Sequence, residues 1–234
     1  HRDLHSFPTR RSSDLPANGD VIHCQLTSGL PCALPDQVTS NAIDLTVQSS
    51  VSKSHVAGAV APVSKTVTYG LISNVPGETS KCWITRNLGA SSQASAVSTS
   101  TESAAGWYWQ FNRKQGFKHD GTTRTPNTAW VTSINQNSAW VAANDPCTIE
   151  LGSPWRIPTL TEWSNVISGG PWYNWNAPWN SVLKIHAAGY LHNSTGALTN
   201  RGSMGLYWSS TQDNNTTGRG FYMDSGMVGM DWNN

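Results

Sequence analysis

The sequence predicts an α+β fold of short strands, few helices and long loops, and three observations support this. Thr159-Leu160-Thr161-Glu162 carries a strong helix-start signal, while KTVTYGLI, GLYWSS and RGFYMDS read as short strands. The text between them is polar and rich in Gly, Asn and Ser. Charged residues make up only 12% of the chain while Trp numbers 12, which excludes a highly charged disordered tail and supplies aromatic mass for a core.

Taken from the start, residues 1–15 (HRDLHSFPTRRSSDL) show no apolar periodicity and resemble translated sequencing-adapter read-through, so they are set apart from the fold as a disordered artefact. The alternative is a basic tail, and neither carries chemistry. Residues 16–50 read as a β fragment, since Val21 and Ile22 open one apolar stretch while Ile43, Leu45 and Val47 alternate with polar residues. Cys24 and Cys32 flank Gly29 and Pro31, so a chain reversal would bring the two sulfurs within bridging distance. Residues 51–68, rich in Ser, Ala, Gly and Val, read as a linker into a domain spanning 69–234.

Within that domain the clearest helix starts at Thr159, where Thr and Glu162 form a capping-box pair, Trp163, Val166 and Ile167 give one apolar face, and Gly169-Gly170 ends the run. Thr99-Ser100-Thr101-Glu102 is a second match to the same pattern, followed soon by Gly106 and the strand-like WYWQF. LKIHAAGYL, GLYWSS and RGFYMDS read as further strands; Leu206 and Trp208 alternate with Tyr207 and Ser209, and Gly205 permits close backbone approach.

Several words fall in a fixed order: CWITRNLG (82–89), GWYWQFNRKQG (106–116), NDPC (144–147), WRIPTLTEW (155–163), LKIHAAGYL (183–191) and GLYWSST (205–211). Together they resemble the Fibrobacter succinogenes major paralogous domain, abundant in Bacteroidetes and Fibrobacteres. The resemblance implies a C-type-lectin-like fold, related to that of formylglycine-generating enzymes. NGDVIHCQLTSGLPC and SNAIDLTV resemble the end of the immunoglobulin-like repeats of Bacteroidetes surface proteins, which makes the β fragment half a sandwich; an unrelated hairpin arm is the other reading. Members of the main family end in a strand whose Cys bridges the one matched here by Cys147. This chain stops at MDWNN, so the resemblance leaves Cys82 as a substitute partner, or both thiols free. Loss of that bridge and closing strand would cost on the order of 2–5 kcal/mol.

The chemistry implied is that of binding. No His-Glu-x-x-His, Cys-x-x-Cys, Gly-x-Ser-x-Gly or glycine-rich phosphate loop occurs, and the seven His residues are scattered, with His186 read as a core imidazole. No Cys follows Cys147, so the late active-site cysteines of the formylglycine-generating group have no match, and no enzyme activity, cofactor or metal is expected. Thr-Pro-Asn (125–127) and Trp-Asn-Asn (232–234) lack the carboxylates of a calcium-dependent sugar site, and KHDGTTRTPN (118–127) reads as a solvated loop.

Residues 212–234 instead mix Gly and small polar residues with aromatics, a paratope-like composition. They follow the Trp-Ser-Ser word, where C-type-lectin-like proteins diversified by retroelements carry their variable face. Asp213, Asn214, Asn215, Arg219, Tyr222, Asp224 and Trp232 are therefore the candidate ligand contacts, the alternative being ordinary loop and edge-strand residues.

Lys+Arg 15 balance Asp+Glu 14, so no nucleic-acid partner is expected, and no apolar run is long enough for direct membrane insertion. The expected setting is extracellular or cell-surface, on Cys usage and the resemblance. The expected role there is an adhesin-like module for a protein or carbohydrate ligand, or a structural spacer of a large surface protein.

Overall fold

The computed structural model describes residues 25–27, 37–39 and 50–233, with side chains from 50 to 230. The chain divides into two units, 1–47 and 48–234. In the first, β1 (Gln25–Thr27) and β2 (Gln37–Thr39) pair antiparallel, Leu26 opposite Val38. The strands expected at Val21-Ile22 and Ile43–Val47, residues 1–15 and the Cys24–Cys32 bridge lie outside the described residues.

In the second unit most of the expected linker is folded. β3 (Ser50–His55) pairs antiparallel with β4 (Lys65–Ile72) along its whole length. Val51, Lys53 and His55 turn inward while the serines between them stay exposed, and Ser52 and Ser54 meet the Thr68 and Thr66 hydroxyls at 2.6 and 3.0 Å. The connecting loop buries Val60 and Ala61, and the Val60 carbonyl accepts from Gly116 N–H at 2.8 Å. Composition hid this hairpin: small side chains suit a linker, but strict alternation also suits a strand with one buried face.

β5 (Trp83–Ile84) continues the sheet beyond β4. Next come α1 (Glu102–Ala105) and a small meander of β6 (Tyr108–Trp109), β7 (Gly116–His119) and β8 (Arg124–Thr125). The second capping box does not form: α1 starts at Thr101 without a side-chain cap, and Thr99 Oγ1 instead accepts from the Ser95 and Ala96 N–H groups. Nor is 118–127 only a solvated loop, since β7 and β8 pair across it and His119 is buried.

α2 (Pro146–Leu151) and α3 (Leu160–Gly169) follow. The α3 capping box is present as expected: Thr159 Oγ1 accepts from Glu162 N–H, and the Glu162 carboxylate accepts from Thr159 N–H at 2.8 Å. Arg156 clamps the same carboxylate through two nitrogens, at 2.8 and 2.5 Å. Burial alone would raise the Glu162 pKa, but the Arg156 and Thr159 donors outweigh it and hold the carboxyl below its ordinary range.

After α4 (Asn176–Asn180) come β9 (Tyr190–Leu191), β10 (Leu198–Thr199), β11 (Met204–Gln212), β12 (Gly218–Asp224) and β13 (Val228–Asn233). β9 pairs only with β10, whereas β11, β12 and β13 form one antiparallel sheet. β11 and β12 match the expected GLYWSS and RGFYMDS strands, and β13 was not expected. LKIHAAGYL differs: Ile185 to Ala188 are buried, yet only Tyr190–Leu191 joins a ladder. Lys184 and Gly189 bend the run with φ of +52° and +73°, so its N–H groups reach scattered partners such as the carbonyls of Val97 and Met204.

The molecule is thus α+β, built from several small antiparallel sheets. α3 packs on the last sheet, where Trp163, Val166 and Trp172 meet Phe221 and Met223. A second cluster joins Val67, Tyr69, Leu88 and Leu151, and a third joins Phe111, Ile134, Trp140 and Ile157; Trp109 packs on both. Two indole donors stitch the assembly together. Trp208 Nε1 donates to the Trp109 carbonyl at 2.7 Å, and Trp163 Nε1 to the Trp208 carbonyl at 3.1 Å.

The long loops are held by buried polar side chains that stand in for missing strand partners. The Gln110 amide both donates to and accepts from the Val131 backbone, at 2.6 and 3.0 Å. Asp145 caps α2 through Cys147 and Thr148 N–H and also accepts from Ile157 N–H at 2.8 Å. Such groups are costly to bury unless satisfied, so each one specifies a single loop path.

Candidate functional site

The β11–β12 turn carries the first group of candidate contacts, and its geometry follows from Asx chemistry. Asn214 Oδ1 accepts from the N–H groups of Thr216 and Thr217 and from the Thr216 hydroxyl, closing the turn on itself. Asp213 receives the Asn214 amide and Thr217 hydroxyl on one oxygen, and its other oxygen meets Arg219 Nε at 2.8 Å. Asn215 is exposed, and its carbonyl accepts from Gln136 N–H at 2.7 Å. Asp213, Asn214, Asn215 and Arg219 are therefore brought together.

Tyr222 and Asp224 are not part of that group. They lie toward the far end of β12, whose six steps from Gly218 to Asp224 span roughly 20 Å. There the Tyr222 hydroxyl donates to the Asp224 carboxylate, which also caps the β12–β13 turn by accepting from Gly226 and Met227 N–H at 2.8 and 2.9 Å. The Tyr222 hydroxyl, against a small burial penalty and with help from those two N–H groups, holds the Asp224 carboxyl below its usual range. Trp232 pairs with Arg219 in the β12–β13 ladder, and its side chain lies outside the described residues.

A pocket of about 130 Å³ adjoins the first group, lined by Val131, Thr132, Ser133, Ile134, Asn193 and Thr216. Three loops meet there, and each is fixed. Trp130 Nε1 donates to the Asn193 carbonyl at 2.7 Å, Arg124 donates to the Thr195 carbonyl at 3.0 Å while stacking over Trp130, and the Gln212 amide reaches the Gln136 carbonyl at 2.5 Å. The lining is neutral, with hydroxyls and one carboxamide over an aliphatic floor. Of its residues only Thr216 falls inside the stretch singled out from sequence. Val131–Ile134 and Asn193 carry no motif and converge only through folding.

Elsewhere the polar groups read as structural. His55 Nδ1 meets Glu150 at 2.6 Å and its Nε2 meets the Tyr69 hydroxyl at 2.8 Å, inside the second cluster. Cys82 is disulfide-bonded, whereas Cys147 is a free thiol, so the two do not pair with each other. Burial, reinforced by the Asp145 charge, pushes the Cys147 thiol far up, which suppresses the thiolate a nucleophile needs. Among the described residues no group of three or more His, Cys, Asp or Glu is placed to hold a metal, and no helix is long and apolar enough to cross a membrane.

His186 is a core imidazole, 3% exposed, and its Nε2 has no protein partner. Burial, and secondarily the Arg201 charge, lowers its pKa to about 4 from 6.5. The unfolded chain therefore takes up a proton that the folded chain resists, so stability falls as pH drops from about 6.5 toward 4 and then levels, by up to about 3 kcal/mol. Urea midpoints measured across that window fall for the wild type and stay flatter for His186→Gln.

Comparison of the chain with protein-family models, curated proteins and solved structures finds no match.

Proposed function

We propose that this chain is a secreted or cell-surface binding module of a bacterial adhesin-like protein, without catalytic activity. On this reading the second unit is a C-type-lectin-like domain of the Fibrobacter succinogenes major paralogous kind, and its ligand face centres on the β11–β12 turn. The observation that carries the proposal is the neutral pocket beside that turn, bounded by Thr216 and walled by two loops from distant parts of the chain. Rigid loops presenting the Thr132 and Ser133 hydroxyls beside Thr216 and Asn193 over an apolar floor suit recognition by shape and hydrogen bonding. At about 130 Å³ the pocket falls well short of the roughly 300–1,000 Å³ that takes a whole drug-sized ligand, so it seats one group of a larger one.

A spacer role is the second reading, favoured by the way Asp213, Asn214, Arg219, Tyr222 and Asp224 spend polar groups on one another. Filling the pocket separates the two. On arrays of glycans and extracellular proteins, Thr216→Trp is expected to weaken binding by at least about tenfold while leaving the thermal midpoint within a few degrees. Equal binding by the filled variant would remove the pocket from the ligand face, and a wild type that binds nothing on either array is a spacer.

A further inference from the structure

The segment from Trp172 to Ser181 displays aromatic surface at Tyr173 and Trp179, while Trp172 and one side of Trp175 pack on the core. Tyr173 is 77% exposed, the highest value for any large hydrophobic side chain among the described residues, and Trp175 and Trp179 are half-buried. Most of the other tryptophans spend their indole N–H on a backbone carbonyl or bury it. The Trp175 and Trp179 indoles and the Tyr173 hydroxyl have neither a hydrogen-bond partner nor a buried polar atom. Among the described residues neither Tyr173 nor Trp179 pairs with another aromatic ring, Trp175 packs on the core cluster beneath α3, and Lys184 Nζ lies 5.5 Å from the Trp179 ring centre.

The display is rigid. Trp172 and Pro178 are buried anchors, Trp175 N–H donates to the Asp224 carbonyl at 2.9 Å, and Asn174 Oδ1 accepts from Asn176 N–H at 3.0 Å. Asparagines at 174, 176 and 180 alternate with the rings, and residues 171–183 contain no charged side chain. Exposed or part-exposed rings with N–H or O–H handles, interleaved with carboxamides on a stretch that carries no charge of its own and has Lys184 at its edge, match the alternating C–H faces and hydroxyls of an uncharged sugar chain.

We infer that this segment is a binding platform for neutral polysaccharide, separate from the pocket at the other end of β12. Tyr173 and Trp179 stack on pyranose faces, and the asparagine amides bond ring hydroxyls. Trp175 braces the platform against the β12–β13 turn through its backbone, so Asp224 acts here by positioning.

The test is native affinity electrophoresis of the full chain in gels containing soluble mixed-linkage β-glucan, xyloglucan, galactomannan or starch. The wild type is retarded by at least one of them, Tyr173→Ala with Trp179→Ala weakens that interaction by at least about tenfold, and Tyr173→Phe retains most of it. Tyr173→Ala alone, at so exposed a position, guards against a misfolded double variant and weakens binding in the same direction. Loss of retardation in Thr216→Trp with the ring-deleted variants unaffected would place the polysaccharide in the pocket and overturn the inference. The inference is overturned if no polysaccharide retards the wild type, if the ring-deleted variants run with the wild type, or if their only change is in self-association through the nearby exposed Val182 and Met227.

Discussion

Replacing Phe221 by Ala is expected to cost about 3–5 kcal/mol, the largest loss at any single position of the last sheet. Phe221 is fully buried and sits where α3 meets that sheet. It stacks on Trp163 with centroids 5.0 Å apart and planes at 17°, and meets Trp172 and Tyr207 at 5.7 and 5.9 Å. A cavity among large rings collapses poorly, because each indole is already fixed by its own packing or by an N–H bond. Urea denaturation reads the loss as a lowered midpoint at unchanged slope. The neighbouring Tyr222→Phe, which keeps the ring and removes a half-exposed hydroxyl on the other face of β12, should shift stability by about 1 kcal/mol or less.

Breaking the buried His55–Glu150 pair is the second large effect. His55→Ala removes an imidazole that is 2% exposed and strands the Glu150 carboxylate, whose side chain is only 11% exposed, at an expected cost of about 3–5 kcal/mol. The loss falls on the joint between β3, β4 and α2, since His55 also faces the Tyr69 hydroxyl, which accepts from Gly89 N–H at 2.8 Å. His55→Leu combined with Glu150→Leu is expected to lose less than His55→Leu alone, because the stranded charge is removed along with its partner. Additive losses in that double-mutant cycle would show that the pair is not coupled.

These two positions differ in how far sequence reasoning reached them. Phe221 lies in RGFYMDS, whose strand was expected, and its partner Trp163 lies on the apolar face of the expected helix. His55 lies in a stretch taken for a linker, because Ser, Ala and Gly dominate its composition and the alternation that makes it a strand has only Val51 as an apolar marker. The candidate contacts divide in the same way. Residues 212–234 were read as one paratope-like face, but the seven candidate contacts grouped by their nearness in sequence separate toward opposite ends of β12. A strand of seven residues keeps neighbours together in the text while carrying them roughly 20 Å apart.

By itself the sequence determined the elements whose signals are local: the capping box and apolar face of α3, the strands β4, β11 and β12, and the aromatic supply of the core. These depend on hydrogen bonds and periodicities spanning a few residues, which a chain carries wherever it is placed. Tertiary structure alone decided that β3 is a strand, that Ile185 to Ala188 cross the core without a ladder, and that Val131–Ile134, Asn193 and Thr216 share a pocket. Each of those outcomes is set by partners beyond the reach of a local signal, such as β4 for β3, Gln110 for Val131 and Trp130 for Asn193, and no short stretch of text encodes a partner it meets only on folding.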